Sequence, residues 1–143
     1  MTSFVLDASV AAKWMLPAHN EPRRAQAFQI LDGYAANEIS LLVPDIFWAE
    51  CGNLLWKAVR QRRLSQADAE LALNGMLRRN FPTFPSTDLL SEALPLALNY
   101  DCPLYDCLYV ALAVQSQTQL ITADERLAEA LAAYLPVKWL GAI

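Results

Sequence analysis

Three acidic residues lie alone inside apolar stretches of this sequence, and their side chains are the ones best suited to chemistry. Asp7 is the only charged residue among the first twelve, Glu50 is the only one in 46–56, and Asp106 is the only one in 102–123. A carboxylate in an apolar segment is costly to bury unless it is paired or bound to a metal ion. A shared divalent-metal site would explain all three.

Asp124 is a fourth candidate, because it follows a strand predicted at 119–122. Carboxylates brought together repel one another and raise each other's pKa, and a hard divalent cation relieves that repulsion. Mg²⁺ and Mn²⁺ prefer oxygen ligands, and such a site, with one metal or two, can activate water and neutralise charge on a phosphodiester. The candidate catalytic and metal-binding residues are therefore Asp7, Glu50, Asp106 and Asp124, with Glu50 either a ligand or a base that orients water.

The three aspartates also have a plain structural explanation. Asp7, Asp106 and Asp124 all fall at expected helix N-termini, where a carboxylate bonds free N–H groups and complements the helix dipole. Glu50 is expected in the middle of a helix, where that explanation does not apply. Taken together, the four acids favour a site.

Other catalytic chemistries find little support. The chain has a single histidine, His19, in an expected loop, and it lacks a Gly-rich phosphate loop, a G-x-S-x-G motif and an H-E-x-x-H motif. With four glycines in all, a dinucleotide-binding fold is disfavoured. An acid-cluster phosphatase needs D-x-D after its first strand, and Ser9 occupies the second acid position here.

The composition suits one compact domain, 1–143, because 55% of the residues are hydrophobic and 18% are charged. No apolar run reaches the roughly 18 residues of a membrane span, and we expect no signal peptide. Three cysteines, an odd number without C-x-x-C spacing, favour a reducing cytoplasm over disulfides or zinc.

A net charge of −4 argues against indiscriminate polyanion binding, but the basic residues are clustered. Local basic patches can bind phosphates even on an acidic protein. Cations at the end of a helix have a simpler role in opposing its dipole, and that alternative stays open. The candidates for binding nucleic-acid phosphates are Arg23, Arg24, Lys57, Arg60, Arg78 and Arg79.

Strands alternate with helices along the chain, which predicts an α/β fold with a central parallel sheet flanked by helices. The predicted strands are 3–7, 39–43, 83–84, 119–122 and 136–140. The predicted helices are about 9–16, 22–35, 45–63, 66–80, 88–98 (kinked at Pro95), 105–115 and 125–134. Ligand sites in such folds lie at the carboxyl ends of strands, where Asp7 and Asp124 are expected.

Several side chains have expected partners within these elements. Asp45 is expected to cap the third helix, and Asn53 to hydrogen-bond Glu50 or a ligand water. We expect Trp48 and Trp56 to pack in the core. The second helix is expected to bury its apolar positions, Ala25, Phe28, Leu31 and Ala35.

Four ordered segments carry a family resemblance: VLDASVAAKW (5–14), PDIFWAE (44–50), LYDCLYVALA (104–113) and LITADERL (120–127). They resemble the successive motifs of PIN-domain ribonucleases, most closely the VapC toxins of bacterial toxin–antitoxin pairs, over nearly the whole chain. The resemblance implies an acidic pocket that binds Mg²⁺ or Mn²⁺ and cleaves RNA, often tRNA or ribosomal RNA. It also implies inhibition by a cognate antitoxin and is compatible with a homodimer.

By position, the four candidate acids match the acids of that family, and Ser9 and Thr122 match the small hydroxyl residues that support its site. Pro103 departs from the pattern, because many relatives have a small polar residue two positions before the Tyr-Asp pair. Asp101 is either an outer acid of the site or, as we favour, a solvated turn residue.

Two alternatives remain. A non-catalytic module could act by docking an antitoxin, with Trp14, Met15 and Leu16 lining a groove for a partner helix. That alternative predicts that acid-to-amide substitutions leave function unchanged. A DNA nuclease is also compatible with the sequence, because the metal chemistry does not depend on the 2′-hydroxyl.

Overall fold

The computed structural model describes residues 1–18 and 21–143. Five parallel strands form one sheet in the order β3-β2-β1-β4-β5, which confirms the predicted α/β class. The strands are β1 (Thr2–Leu6), β2 (Ile39–Pro44), β3 (Thr83–Phe84), β4 (Gln119–Thr122) and β5 (Val137–Trp139). The helices are α1 (Ala8–Met15), α2 (Arg24–Ala35), α3 (Ile46–Arg60), α4 (Gln66–Leu77), α5 (Leu90–Tyr100), α6 (Leu104–Gln115) and α7 (Glu125–Leu131).

The central strand β1 has neighbours on both sides, with Val5 level with Leu42 of β2 and Leu120 of β4. Strand order therefore reverses between β1 and β4, and the carboxyl ends of these two strands lie side by side. A crevice forms at such a switch point in open parallel sheets. The predicted position of Asp7 beside the end of β4 is confirmed.

Helices cover both faces of the sheet. Helix α1 contacts α2, α3 and α4, whereas α5 packs on α6, which in turn lies on β1, β2 and β4. Every residue of α6 from Cys107 to Ala113 is buried, as expected of a helix that is apolar on all sides.

Helix α1 begins and ends where its sequence directs. Asp7 is its N-cap in an extended conformation, and its carboxylate accepts a hydrogen bond from the Ser9 N–H. Leu16 leaves the helix with ψ 157°, as a residue before proline must, because the ring of Pro17 disfavours helical geometry.

Three helices end earlier than predicted. Helix α3 stops at Arg60 rather than 63, α4 at Leu77 rather than 80, and α7 at Leu131 rather than 134. Arg62 and Asn80 follow α3 and α4 with φ of 59° and 50°, in the left-handed region where helices commonly stop.

The structure corrects two further expectations. Asp45 makes no capping hydrogen bond to α3, because its carboxylate instead accepts bonds from the amide and hydroxyl of Ser86, near β3. Helix α2 buries a different face from the expected one: Ala27, Ile30 and Gly33 are buried, whereas Ala25 and Ala35 are exposed.

The segment after α1 is joined to the end of α3 by ion pairs. Glu21 pairs with Lys13 Nζ at 3.4 Å and with Arg63 at 2.8 Å. His19 and Asn20, expected in a loop, lie outside the described residues. All three cysteines are free thiols. Within the described ranges, every helix is too short or too polar to cross a membrane.

Candidate active site

All four predicted acids line one cavity of about 250 Å³ at the carboxyl edge of the sheet. Each acid comes from a different part of the fold. Asp7 follows β1, Glu50 lies within α3, Asp106 lies in the first turn of α6, and Asp124 follows β4 as the N-cap of α7. The lining is completed by Ala8, Ser9, Asn53, Leu54 and Lys57.

Asp7 is the most enclosed of these acids, with 8% of its surface exposed. Its Oδ2 accepts a 2.7 Å hydrogen bond from the Thr122 hydroxyl, and its Oδ1 accepts a 3.4 Å bond from the Ser9 N–H. Burial raises the pKa of Asp7, and the hydrogen bonds from Thr122 and Ser9 oppose that rise. The carboxylate is thus held in a fixed orientation, while further lone pairs stay available for a ligand.

A small hydroxyl network ties β4 to the start of α1. Thr122 Oγ1 accepts from the Asp124 N–H at 3.0 Å while it donates to Asp7. Ser9 Oγ accepts from the Ala123 N–H at 3.0 Å and lies 3.4 Å from Thr122 Oγ1. The network fixes two of the acids relative to each other, and it is built from Ser9 and Thr122, the residues for which we predict a supporting role.

Glu50 is held by a residue that we did not predict. The hydroxyl of Tyr109 donates a 2.6 Å hydrogen bond to Glu50 Oε1, and Tyr109 is only 1% exposed. Burial raises the pKa of Glu50, the Tyr109 bond lowers it, and nearby Asp7 adds to the rise. One signal in the sequence was available: Tyr109 lies three residues after Asp106 and therefore on the same side of α6.

Asp106 responds to the whole acid cluster. Its pKa rises to about 6, first because of burial and then because of the charges of Asp7, Asp124 and Glu50. The four carboxylates are therefore close enough to interact, and their mutual repulsion favours a ligand of positive charge.

The donor chemistry of the cavity suits a hard divalent cation. The four acidic side chains offer only carboxylate oxygens as ligands. The neighbouring thiol of Cys51 stays protonated, because burial and the charges of Glu50 and Asp7 raise its pKa to about 12. Across residues 1–18 and 21–143, no group of three or more His, Cys, Asp or Glu side chains is already arranged to hold a metal ion. The acids surround the cavity rather than converge on one point.

One of the six predicted RNA-binding residues reaches this cavity. Lys57 lines it together with Asn53, which does not hydrogen-bond Glu50 directly. Arg60 lies over the ring of Trp56, and Arg79 lines a separate cavity with Trp14. Arg23 stacks on Trp139, Arg24 stacks on Phe28, and Arg78 is exposed.

Asp101 does not line the cavity. It is exposed at the end of α5 with φ 51°, in keeping with a turn residue.

The model of the PIN domain family matches residues 4–131, a range that contains all four acids. The chain belongs to the PIN-domain family. It is 32% identical over 127 residues to ribonuclease VapC3 of Pyrobaculum aerophilum, covering 87% of this chain and 92% of that protein. It is 34% identical over 101 residues to ribonuclease VapC1 of Mycobacterium tuberculosis, covering 71% of this chain and 74% of that protein.

Solved structures share the fold of this PIN domain. A crystal structure of a Pyrobaculum aerophilum protein superposes with a TM-score of 0.71 at 25% identity, covering 99% of this chain and 85% of that one. A VapBC2 structure from Rickettsia felis, bound to a DNA fragment from its promoter, superposes with a TM-score of 0.66 at 13% identity, covering 96% and 98%. A toxin–antitoxin complex from Klebsiella pneumoniae gives 0.59 at 17% identity, covering 94% and 95%.

Proposed function

We propose that this PIN domain is an endoribonuclease that depends on Mg²⁺ or Mn²⁺ and acts as the toxin of a toxin–antitoxin pair. The observation that carries the proposal is the meeting of four carboxylates, from four separate segments of the chain, in one cavity. Three of them, Asp7, Glu50 and Asp106, are at least partly buried without a matching set of cations, which is costly, so the assembly favours a catalytic role. Two VapC relatives named as ribonucleases support the choice of RNA.

Asp7, Asp106 and Asp124 would hold the ion, with Glu50 as a further ligand or as a base. A bound divalent cation would supply an activated water and neutralise charge on the scissile phosphodiester. Small inward movements of these side chains, or bridging waters, are needed for binding, since the acids line the cavity without converging.

The remaining residues of the cavity orient these groups. Thr122 and Ser9 hold the Asp7 carboxylate. Tyr109 occupies Glu50 Oε1, so Oε2 is left to accept a proton from the attacking water. The Lys57 ammonium can contact a phosphate of the RNA at the rim of the cavity.

The partners follow from the same assignment. The similar structures are a toxin–antitoxin complex from Klebsiella pneumoniae and VapBC2 from Rickettsia felis, which favours a cognate antitoxin for this chain. We also propose a homodimer, supported by the exposed leucines of α5, which are Leu90, Leu94 and Leu98. A cytoplasmic location would keep the three free cysteines reduced and give access to RNA.

RNA cleavage by purified protein tests the proposal. Total cellular RNA would be incubated with the protein freed of any copurifying antitoxin, with Mg²⁺, with Mn²⁺ and with chelator. Asp7→Asn, shown to be folded, is the test variant, and Asp68→Asn, an exposed acid on α4, is the matched control. Single-stranded DNA of matched sequence runs in parallel.

Discrete RNA fragments that require metal, disappear with Asp7→Asn and persist with Asp68→Asn are the expected result. Intact RNA with every protein would contradict the ribonuclease assignment. Cleavage of DNA in preference to RNA would instead assign a DNA nuclease.

A further inference from the structure

Trp56 differs from the other three tryptophans in its exposure. It is 55% exposed on α3, whereas Trp14, Trp48 and Trp139 are all partly buried. The indole N–H groups of Trp14 and Trp48 donate to Ala27 O and Thr83 Oγ1. We expected Trp56 in the core, and that expectation is wrong. A large flat side chain kept in solvent is a common feature of binding surfaces.

On the surface of α3, Trp56 lies next to the side of the helix that faces the acidic cavity. Successive residues of a helix turn by about 100°, so Lys57, at the cavity, and Trp56 point roughly 100° apart. Asn53 and Arg60 fall between those two directions, and all four side chains are exposed. These four residues form an exposed ridge on α3 that extends from the cavity to the indole.

The ridge is positively charged, although the whole chain carries a net charge of −4. Within the described residues, neither Lys57 nor Arg60 forms an ion pair. The Arg60 guanidinium lies 5.0 Å from the centroid of the Trp56 ring. This stacking restricts the orientation of the indole and leaves the guanidinium N–H groups free to bind an anion.

On its far side, Trp56 borders an apolar slot of about 310 Å³ between α3 and α4. Gly52, Leu55 and Val59 form the α3 wall. The α4 wall is formed by Ala69 and Leu73 together with two polar residues, Gln66 and Glu70. A Cβ built at Gly52 meets nothing within 4 Å, so the slot is open there.

We propose that Trp56 and Arg60 bind one unpaired nucleobase of the RNA, which lies against the indole in the apolar slot, beside the nucleotide whose phosphodiester enters the acidic cavity. A ligand that crosses this ridge must be flat and apolar at the indole and anionic at Lys57, and a nucleotide has both properties. The inference rests on the proposed ribonuclease function and adds the contact that selects single-stranded RNA.

The test is a double-mutant cycle that combines protein variants with RNAs from which one base has been removed, and it measures the binding affinity of each combination. Asp7→Asn protein, with Mg²⁺ present, would be titrated into labelled single-stranded RNAs in which each position in turn is abasic. The same series is measured with Trp56→Leu, Trp56→Phe and Gly52→Leu added to Asp7→Asn. Leu71→Ala, an exposed apolar residue of α4 that does not line the slot, is the matched control.

We expect removal of one particular base to weaken binding about fivefold or more. Trp56→Leu should weaken binding of intact RNA similarly, and the abasic substitution should then cause no further loss, because the two changes remove the same contact. Trp56→Phe should retain most of the affinity, Gly52→Leu should lower it by filling the slot, and Leu71→Ala should leave it unchanged.

Equal RNA affinity for Trp56→Leu and the parent would overturn the inference, even where wild-type protein cleaves RNA. Loss of a copurifying protein partner without any change in RNA affinity would overturn it too, and would assign the slot to protein binding. Conversely, Trp56-dependent binding of one base by a protein that never cleaves RNA would support the base site and contradict the proposed nuclease.

Discussion

The hydroxyl of Tyr109 donates a 2.6 Å hydrogen bond to Glu50 Oε1 and so joins the buried helix α6 to the acidic face of α3. Burial, and then the charges of Asp7 and Glu50, raise the pKa of the Tyr109 phenol, so it remains a proton donor. Tyr109 therefore orients this carboxylate and favours its charged form, against the larger effect of burial, which raises the pKa of Glu50.

Replacing Tyr109 by Phe should slow RNA cleavage by about tenfold or more and shift its pH dependence. Without the hydrogen bond the pKa of Glu50 rises further, so the ionised base forms only at higher pH. The acidic limb of the pH–rate profile therefore shifts to higher pH. Tyr34→Phe removes a comparable hydrogen bond, to Arg79 O, and should leave the profile in place. An unchanged acidic limb in Tyr109→Phe would show that Glu50 does not titrate in the rate-limiting step.

The Thr122 hydroxyl should contribute both to the stability of the fold and to the affinity for Mg²⁺. Thr122→Val removes the donor to buried Asp7 and the acceptor for the Asp124 N–H, which should cost about 1–3 kcal/mol of folding free energy. The apparent affinity for Mg²⁺ should fall by about 10- to 100-fold, because Asp7 loses its fixed orientation. Thr122→Ser keeps the hydroxyl and should retain most of that affinity. Calorimetric titration of both variants distinguishes them, and equal Mg²⁺ affinities would contradict the orienting role.

Asp106 should make the metal-free protein less stable as the pH rises. Its folded pKa of about 6 lies above the ordinary value of 3.8, so the folded state binds the proton more tightly. The stability that protonation provides is present below the ordinary pKa and is lost as the pH rises through about 6.

Asp106→Asn should therefore match wild type most closely below the ordinary pKa of 3.8 and melt a few degrees higher near about pH 8, in chelator. Added Mg²⁺ should raise the melting temperature of wild type more than that of the variant. Thermal unfolding followed by circular dichroism measures both effects. A variant that melts lower than wild type at the higher pH would contradict the repulsion inferred among the acids.

Much of the site could be inferred from the sequence because its acids interrupt apolar segments. A lone carboxylate is conspicuous there, and parallel strands bring Asp7 and the start of α7 to the same edge of the sheet. Tyr109 was missed because a tyrosine in an apolar helix looks like core. Only the three-dimensional crossing of α6 and α3 shows that its hydroxyl meets Glu50.

Helix ends and helix faces were less predictable for different reasons. The chain places Asn37, Arg62, Asn80 and Gln117 in left-handed conformations after its helices, and none of its four glycines marks such a position. In α2, small residues repeat on more than one side, so periodicity alone did not identify the side that packs. Trp56 was misplaced because hydrophobicity cannot distinguish a core residue from an exposed one on the same helix.

The exposed leucines of α5 should mediate self-association. Leu94 and Leu98 are 52% and 74% exposed and, with Leu90, recur every four residues, so they form one apolar stripe on the outer side of α5. Leu94→Asp combined with Leu98→Asp should convert a dimer into a monomer, because burying two unpaired charges in the interface is prohibitive. Light scattering coupled to size exclusion measures the change, and Leu71→Asp on α4 controls for an added surface charge. This stripe is not a dimer interface if the wild-type chain is monomeric at high concentration or if the double variant stays dimeric.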